Sequence, residues 1–568
     1  MNVSTAEIYP ADVAIKGDRI AAVGDVEYTR GDRTRVIDAS GLHLTPGLIE
    51  THLHCYHSYV GVNEFAELLL SHGVTATADG FYGPGIVGGR EAVRFLKEAF
   101  DATPLRLIFL VPTLACLQNR DVGLTPVPGI SVEEMFEMLD WEGCRGLEEP
   151  PFLPITNGFP EFLDLFEQTV ERGQVVTGHA AGITGRQLQA YVAMGASTDH
   201  EAVDSQEALE RARAGMKILA RQGSLELNVP EVIRAVTELG VDPHAFSFST
   251  DVASPEKLAA SGAIDAHVRV AIENGVEPIR AIQMATLNAA EVFGLEQEMG
   301  SISPGRLADL LLVDDLAAFR IRSVMVGGEV VVDDGRFLPE LAPVAYPAGF
   351  YESMKLDAPV RAEELSLEAP DQAEVEVRVI GMTEGSLLTE ERSALLRPRD
   401  GRLHADLEAD VLPIVMVDRH GKGTGTGIGF VQGFGLKEGA LASSVSTICS
   451  NLVAVGTNPE DMAAALNRLA AAGGGQIAVR DGEPLALVEL PLFGLLSDDP
   501  LDVVMDKFSA LYAAARELGC AFPSPFSQLE FCFVGGSTPA LKLSEEGLLR
   551  VFGEVVERVD TVVPARPR

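Results

Sequence analysis

The sequence predicts an α/β protein centred on a (β/α)8 barrel of the TIM type, with a small β-sandwich built from both flanks and a C-terminal α/β domain. Two patterns support this prediction. The segment from about 46 to 300 alternates short apolar runs with segments of helical periodicity. β-rich segments with turn signals lie on both sides of it. In addition, 568 residues are too many for one core, so several domains are expected.

The flanking segments predict short strands joined by tight turns. The stretch "ADVAIKGDRIAAVGD" alternates apolar and polar residues around the turn Gly17-Asp18. After the barrel segment, "IRSVMVGGEVVVDDGRF" places Gly327-Gly328 between two apolar runs. We therefore assign residues 1–45 and 301–345 to one small β-domain.

Residues 46–300 are assigned to the barrel. The apolar runs "LRLIFLVPTL", "GQVVTGHA", "GASTDHE" and "HAFSFSTD" predict buried strands, whereas "FPEFLDLFEQTVERG" and "SQEALERARAG" have helical spacing. About 250 residues of such alternation are typical of a (β/α)8 barrel. A doubly wound open sheet is the alternative with the same periodicity.

Beyond the barrel, composition separates a linker from a second α/β region. Residues 346–372 are rich in proline and polar side chains and are assigned to the linker. In residues 373–568, "NPEDMAAALNRLAAAGGG" predicts a helix that ends at glycine, and "QIAVRDGEPLALVEL" predicts two strands around an Asp-Gly turn. The glycine-dense "GKGTGTGIGFVQGFG" has neither GxGxxG nor P-loop spacing, so tight turns between strands are expected there.

Charge and cysteine content exclude several kinds of partner. A net charge of −39 repels nucleic acid phosphates and anionic membrane surfaces, so neither is an expected partner. No apolar run reaches the roughly 18 residues that span a bilayer, and the first residues show no signal peptide pattern. The six cysteines form neither CxxC pairs nor a disulfide framework. We therefore expect a cytoplasmic protein with reduced thiols.

Histidines and acidic residues stand at the ends of several predicted strands. His52 and His54 lie two residues apart after "LTPGLI", so both point to one face of a strand. Four further candidates end later strands: Glu149, His179, His200 and Asp251. The carboxyl ends of barrel strands meet at one mouth, where imidazole and carboxylate ligands suit Zn, Mn, Fe or Co. Separate histidines with their own hydrogen bonds, together with helix caps, are the alternative.

The stretch "PGLIETHLH" resembles the first-strand signature of the amidohydrolase superfamily, in which PG and two hydrophobic residues precede D-x-H-x-H. Blocks such as "TGHAAGITGRQLQAYVAMGASTDHE" and "AIQMATLNAAEVFGL" resemble adenine deaminases, and "GFVQGFGLKEGALASSVS" resembles the C-terminal domain of that family. The resemblance extends over essentially the whole chain. It implies the metal ligands His52, His54, Glu149, His179, His200 and Asp251, with Glu149 rather than Glu148 as the bridging carboxylate.

The chemistry that the resemblance implies is hydrolysis. Two cations that share a water lower the pKa of that water towards neutrality and so provide hydroxide at pH 7. Asp251 then accepts the proton of the water and passes it to the leaving nitrogen. The expected catalytic residues are Asp251, Glu149 and His200, and the expected cofactors are two divalent transition metal ions, Mn, Fe or Zn.

Positions around the expected active-site mouth depart from the adenine deaminase pattern. The Glu-Ser-Ser run that follows HxH in the family is Tyr56-His57-Ser58 here, and the Asp-Pro-His-Glu stretch after the second strand is "DGFY". Gln222 stands where the family has an acid. Seven residues are therefore expected to contact the substrate: Tyr56, His57, Asp79, Phe81, Tyr82, Gln222 and Ser224. His57 is either a replacement acid, base or donor, or a loop histidine that faces solvent or packs on an aromatic ring.

These patterns predict an enzyme that hydrolyses a C–N bond of a small cyclic or heteroaromatic substrate, by deamination of adenine or a related aminated heterocycle. Ring opening of a cyclic amide or lactone is the alternative within catalysis, and release of ammonia distinguishes the two. A non-catalytic binding protein on the same fold is the alternative from another class, and metal content distinguishes it from the enzyme. A homodimer is the expected assembly.

Overall fold

A computed structural model of the protein describes residues 1–117, 124–125, 129–152, 159–384, 388–446, 449–533, 540–552 and 555–564. Its central segment contains eight parallel strands. In chain order these are Leu48–Glu50, Val74–Asp79, Arg106–Pro112, Cys144–Glu148, Val175–Val176, Thr198–Asp199, Lys217–Arg221 and Phe246–Ser249.

The eight strands close into a barrel. The first five form one sheet and the last three another, and isolated parallel bridges join the two sheets at both edges. At one edge the Ser197 amide donates to the Val176 carbonyl over 3.0 Å. At the other edge the Asp251 amide donates to the His52 carbonyl over 2.8 Å. The predicted (β/α)8 barrel is therefore confirmed, and the open doubly wound sheet is excluded.

Helices alternate with these strands, as the periodicity predicts. Ser205–Ala214 illustrates how the sequence sets helix ends: the Asp204 side chain accepts from the amides of Gln206 and Glu207, and Gly215 ends the helix with φ 92°. The described helices of the barrel segment are Val62–Ser71, Tyr82–Phe100, Leu114–Leu117, Val132–Leu139, Pro160–Glu171, Gly185–Ala193, Ser205–Ala214, Val229–Val232, Arg234–Thr237, Pro255–Ser261, Ile264–Glu273, Pro278–Met284 and Leu287–Val292. Short 3-10 helices are Glu27–Thr29, Cys55–Ser58, Pro243–Ala245, Ala348–Tyr351 and Ala362–Leu365.

Strands from both flanks of the barrel pack together. Asp12–Lys16 pairs with Arg19–Gly24 around the predicted Gly17-Asp18 turn. A five-stranded sheet has the order Arg336–Phe337, Glu329–Asp333, Arg320–Val326, Leu310–Asp315 and His43–Pro46, so an N-terminal strand pairs with a strand that follows the barrel. The flanks share one apolar cluster that includes Ile20, Leu310 and Met325.

The C-terminal region forms an eight-stranded mixed sheet. Its order is Glu390–Leu396, Val375–Gly381, Thr426–Gln432, Val411–Val417, Leu452–Gly456, Ala440–Ser443, Gly475–Arg480 and Glu483–Glu489. Three further strands are Ala540–Ser544, Gly547–Phe552 and Val555–Val559, and the helices are Pro459–Ala471, Leu501–Glu517 and Pro525–Glu530. No helix in the described part of the chain is both long and apolar enough to cross a membrane.

The glycine-dense stretch of this region differs from its prediction. Glycines with positive φ lie at both ends of the stretch: Gly421, Gly423 and Gly425 before the strand, and Gly433 and Gly435 after it. The middle part is the strand Thr426–Gln432. A Cβ on Gly427 would lie 1.8 Å from the Ser544 carbonyl oxygen, so glycine is needed there for close packing of the strand Ala540–Ser544 rather than for a turn.

A substitution at Gly178 tests how tightly the barrel strands pack beside His179. A Cβ at this position would lie 2.0 Å from the Thr198 carbonyl oxygen, and backbone cannot move aside as a flexible side chain can. We expect Gly178→Ala to lower the free energy of unfolding by about 1–3 kcal/mol or more. Chemical denaturation measures this. The control is Gly349→Ala, whose Cβ meets nothing within 4 Å; equal stabilities for the two variants contradict the packing argument.

Candidate metal centre

Six side chains meet at the carboxyl ends of the barrel strands. They are His52, His54, Glu149, His179, His200 and Asp251, the residues singled out in the sequence. Three groups of three among them have ligand atoms that all lie within 4.8 Å of one another: His52 with His54 and Glu149, His52 with His200 and Asp251, and Glu149 with His179 and His200. Residues from five separate barrel strand ends thus share one small volume.

Glu149 lies at the centre of this set. Its Oε1 atom is 3.1 Å from Nε2 of His54. Its Oε2 atom is 3.5 Å from Nε2 of His52, 3.3 Å from Nδ1 of His179 and 3.4 Å from Nε2 of His200. A carboxylate with imidazoles at both oxygens has the arrangement needed to bridge two cations.

Asp251 approaches the same set from the last barrel strand. Its Oδ1 atom lies 3.6 Å from Nε2 of His52 and 3.4 Å from Nε2 of His54. Its Oδ2 atom accepts a hydrogen bond of 2.8 Å from Arg221, which also donates to Glu201 over 2.7 Å. Arg221 therefore orients Asp251, and no sequence pattern singled out Arg221 or Glu201.

The spacing and chemistry of these side chains fit divalent cations. Ligands at about 2.1 Å from a tetrahedral cation are about 3.4 Å from one another, which is the range of the contacts above. Nε2 of His52 is buried and has no hydrogen-bond partner within the described residues. The two carboxylates bring negative charge into a buried place, where charge must be paired or coordinate a metal. The donor set thus passes the test for a metal site.

Burial and charge act in opposite directions on the ionisable groups. Burial lowers the pKa of His52, but the nearby Glu149 and Asp251 carboxylates raise that pKa to about 10. Burial raises the pKa of Glu149, but the His54 and His52 imidazoles bring it well below the usual range of a glutamate. The centre therefore attracts positive charge, and its carboxylates are ionised.

Two ligands have a left-handed backbone that non-glycine residues rarely adopt. The φ angle is 35° at Glu149 and 63° at Asp251. Such strain persists where surrounding contacts determine the conformation, and it concentrates at functional sites. Here the Glu149 amide donates to the Thr177 hydroxyl over 2.9 Å, and the Asp251 amide donates to the His52 carbonyl over 2.8 Å.

Two buried glutamates support the ligands. Glu50 accepts from the His52 amide over 3.0 Å and from the Thr250 hydroxyl over 2.5 Å, and burial raises its pKa to about 7. Glu148 accepts from the Gly80 amide over 2.7 Å, and burial raises its pKa to about 8. The sequence analysis missed Glu50 as a functional residue, although an acid inside the apolar run just before HxH was an available signal.

The predicted substrate contacts fall into two groups. Tyr56 and Tyr82 lie beside the ligands: their hydroxyls are 2.6 Å apart, and the Tyr82 ring meets the His54 ring edge to face at 4.7 Å. Asp79 instead accepts from the Cys55 and Phe81 amides, each over 2.8 Å. The Phe81 ring packs against Phe100 at 5.4 Å in the hydrophobic core, and Phe81 has a left-handed backbone just before its helix.

Gln222 and Ser224 lie on the segment that follows the seventh barrel strand. The Gln222 amide donates to the Ser249 carbonyl, and the Ser224 hydroxyl accepts from the Ser254 amide over 3.0 Å. A small cavity beside this segment borders the metal centre. It is lined by Arg221, Leu225, Glu226, Asp251, Val252 and Phe531. Phe531 belongs to the C-terminal region, which therefore reaches the barrel mouth.

His57 is buried, and it lies beside a carboxyl group that the sequence analysis missed. Its ring packs on Tyr56 at 4.1 Å, and its Nδ1 atom is 3.3 Å from Oε2 of Glu530. Oε1 of Glu530 accepts from the Tyr59 hydroxyl over 2.9 Å. Burial raises the pKa of Glu530 to about 8. The solvent-facing interpretation of His57 is therefore wrong. No local pattern marked Glu530, because 471 residues separate it from Tyr59.

Two protein families match the sequence. The amidohydrolase family matches residues 43–331, and the adenine deaminase C-terminal domain matches residues 386–553. The two matches together include the barrel, the strand His43–Pro46 and most of the C-terminal region.

Curated relatives match over nearly the full length. An adenine deaminase of Moorella thermoacetica is 39% identical over 97% of this chain and 92% of its own length. An adenine deaminase of Mesorhizobium japonicum is 36% identical over 99% of this chain and 93% of its own length. An adenine deaminase of Clostridium botulinum is 34% identical over 97% of this chain and 92% of its own length.

The raised pKa of Glu530 predicts a dependence of stability on pH. A carboxyl group with a pKa of about 8 when folded and 4.5 when unfolded stabilises the fold fully below the unfolded value, and this stabilisation is lost as pH rises through the folded value. We expect the free energy of unfolding of the wild type, relative to Glu530→Gln, to fall between about pH 5 and pH 8. Denaturant titrations across this range measure it. A difference that stays constant with pH contradicts the raised pKa.

Proposed function

The chain belongs to the adenine deaminase family of the amidohydrolases, and from this premise we propose that it is a binuclear metal-dependent deaminase of adenine or a related aminated heterocycle. In this reaction water replaces the exocyclic amine of the ring, so that a carbonyl group forms and ammonia leaves. The observation that supports the proposal best is the contact of Glu149 with four histidines beside Asp251.

Membership of the amidohydrolase family implies a divalent metal cofactor. We propose two ions, of Mn, Fe or Zn, which share these N and O ligands. His52, His54, Glu149 and Asp251 would hold one ion, and Glu149, His179 and His200 the other. When bound, the ions supply Lewis-acid chemistry, since they lower the pKa of water towards neutrality and polarise the bond under attack.

Asp251 is the proposed proton carrier, which accepts a proton from the attacking water and delivers it to the leaving nitrogen. Burial raises the pKa of Asp251, but the nearby His52 and His54 imidazoles and the charge of Arg221 bring that pKa well below the usual range. The carboxylate is therefore ionised and able to accept. Because Arg221 engages Oδ2, Oδ1 is the oxygen that faces the histidines.

Tyr56 and Tyr82 support a flat aromatic substrate. Both side chains are buried, and the Tyr82 ring lies against His54 at the centre. Aromatic rings offer a flat apolar face to a heterocycle, and hydroxyl groups offer polar contacts to its edge. We propose that Gln222 and Ser224, which follow the seventh barrel strand, contact the substrate next to the cavity that borders Asp251.

We also propose a cytoplasmic location and a homodimer. All six cysteines are free thiols in the structure, which suits a reducing compartment. Two-fold dimers are the most frequent assemblies of soluble enzymes, and size-exclusion chromatography with light scattering tests this one.

A panel of aminopurines, aminopterins, cyclic amides and lactones tests the reaction. We expect the metal-loaded enzyme to release ammonia from an aminated heterocycle, and Asp251→Asn to lower kcat by about 10²-fold or more because the amide cannot accept the proton. Asp204→Asn is the control, since asparagine caps a helix as well as aspartate. Ring opening without ammonia contradicts the deaminase proposal, and full activity of Asp251→Asn contradicts the proton carrier.

Metal content tests whether Glu149 or its neighbour Glu148 is the carboxylate that bridges the two cations. We expect about two equivalents per chain in the wild type and one or fewer in Glu149→Gln, since a neutral amide bridges two cations poorly. Glu148→Gln keeps an acceptor for the Gly80 amide, so metal content close to wild type is expected. Elemental analysis by mass spectrometry measures both. Loss of metal in Glu148→Gln with retention in Glu149→Gln reverses the assignment.

A further inference from the structure

We propose that Glu530 of the C-terminal region and His57 of the barrel form a substrate-recognition pair, in which Nε2 of His57 donates a hydrogen bond to a ring nitrogen of the heterocycle. The inference rests on the proposed function, because it assumes that the site takes a nitrogen heterocycle. It adds a specificity-determining residue, Glu530, that lies outside the barrel.

The position of Glu530 is the first support. Glu530 is the last residue of the helix Pro525–Glu530 and is fully buried. Its Oε1 atom accepts from the Tyr59 hydroxyl over 2.9 Å, and its Oε2 atom lies 3.3 Å from Nδ1 of His57. The next residue, Phe531, lines the cavity that borders Asp251 and Arg221. The end of this helix therefore reaches the substrate side of the metal centre.

The two ring nitrogens of His57 are the second support. The side chain is 1% exposed, yet Nε2 makes no hydrogen bond within the described residues, whereas Nδ1 has Oε2 of Glu530 at 3.3 Å. Buried polar atoms almost always have a partner, because a missing partner destabilises the fold. Glu530 approaches Nδ1, which leaves Nε2 for a ligand. The ring lies 6.1 Å from the His54 ring, so a heterocycle at the centre is close enough for contact.

The direction of the hydrogen bond follows from the cost of burying charge. A neutral carboxyl group beside a neutral imidazole brings no net charge into the protein, whereas an ionised carboxylate alone does. Burial raises the pKa of Glu530 to about 8, so the protonated form predominates at pH 7. A protonated Oε2 donates to Nδ1, and the ring proton then stands on Nε2. The pair thus presents a donor, which matches the acceptor nitrogens of a purine-like ring.

A purely structural role is the competing explanation. In that case Glu530 and His57 only attach the C-terminal region to the barrel. The structure offers a matched contact of this kind elsewhere: the Tyr346 hydroxyl accepts from the Val62 amide over 3.1 Å. Tyr346→Phe therefore reports what the loss of one such contact does to stability, without a change at the metal centre.

The test measures equilibrium binding of purine and its 1-, 3- and 7-deaza analogues to the full-length, metal-loaded enzyme. None of these probes has an amino group to hydrolyse, so binding is separate from turnover. The variants are His57→Phe, which keeps an aromatic ring against Tyr56, and Glu530→Gln, which has nearly the same shape as the wild type. Thermal unfolding and ammonia release are measured on the same samples.

The proposal expects one deaza analogue to bind the wild type about tenfold more weakly than purine, since one hydrogen bond is lost. In His57→Phe, the affinity for purine falls about tenfold, and the difference between purine and that deaza analogue disappears. Glu530→Gln reduces the same difference in affinity by at least threefold. If His57→Phe does not fold, the result for Glu530→Gln tests the proposal by itself. Tyr346→Phe leaves the difference intact.

The opposite results overturn the proposal. If both site variants bind all four probes like the wild type and lose only thermal stability, as Tyr346→Phe does, the pair is structural. If the wild type shows the His57-dependent difference but releases no ammonia from any aminated ring, the pair stands and the deaminase proposal fails. If the wild type binds none of the probes, the recognition pair is refuted, and ammonia release from the amine panel then decides the deaminase proposal separately.

Discussion

The buried carboxylate of Glu149, surrounded by four imidazole rings, is the constraint on which the barrel mouth depends. Its negative charge lies where water cannot solvate it, so the surroundings must compensate it. The histidines come from three different strand ends, with His52 and His54 at one of them, and only a closed barrel brings all four to one carboxylate. The left-handed backbone at Glu149 shows that the fold holds this side chain in place at a cost in conformational strain.

The buried carboxyl groups of the site differ in role: Glu50 and Glu148 accept backbone hydrogen bonds, whereas Glu149 and Asp251 face the histidines. Burial raises the pKa of Glu50 and of Glu148, which accept backbone hydrogen bonds beneath the ligands. The imidazoles and Arg221 instead bring the pKa of Glu149 and of Asp251 well below the usual range. The consecutive residues Glu148 and Glu149 therefore differ in charge at neutral pH, because their surroundings differ. The ionised pair is suited to hold cations, and the supporting pair accepts hydrogen bonds from the backbone beside the candidate ligands.

The barrel and the C-terminal region contribute different properties to the site. All six candidate metal ligands, including Asp251, belong to the barrel. Phe531 and Glu530 come from the C-terminal region and lie next to Asp251 and His57. Under the proposed function, a change at these two positions would alter the surroundings of the substrate without altering the candidate metal ligands. Such a division would let substrate preference change while the hydrolytic reaction remains.

The sequence by itself determined the barrel and pointed to the ligand positions. Alternating apolar runs and helical segments predicted the (β/α)8 fold, because strand and helix periodicities are local properties. His52 and His54 were recognisable from their spacing, and Glu149, His179, His200 and Asp251 from their places at strand ends. Parallel strands put such residues at one mouth, so no knowledge of exact side-chain geometry was needed.

The tertiary structure alone decided which other side chains join them. Arg221 meets Asp251, and Glu530 meets His57, through contacts between distant segments that leave no periodic mark in the sequence. Phe81 lies in the core with a left-handed backbone, although its neighbour Tyr82 lies beside His54 at the centre. The position and contacts of each such side chain depend on packing between elements. Packing is a property of the assembled fold rather than of a local pattern.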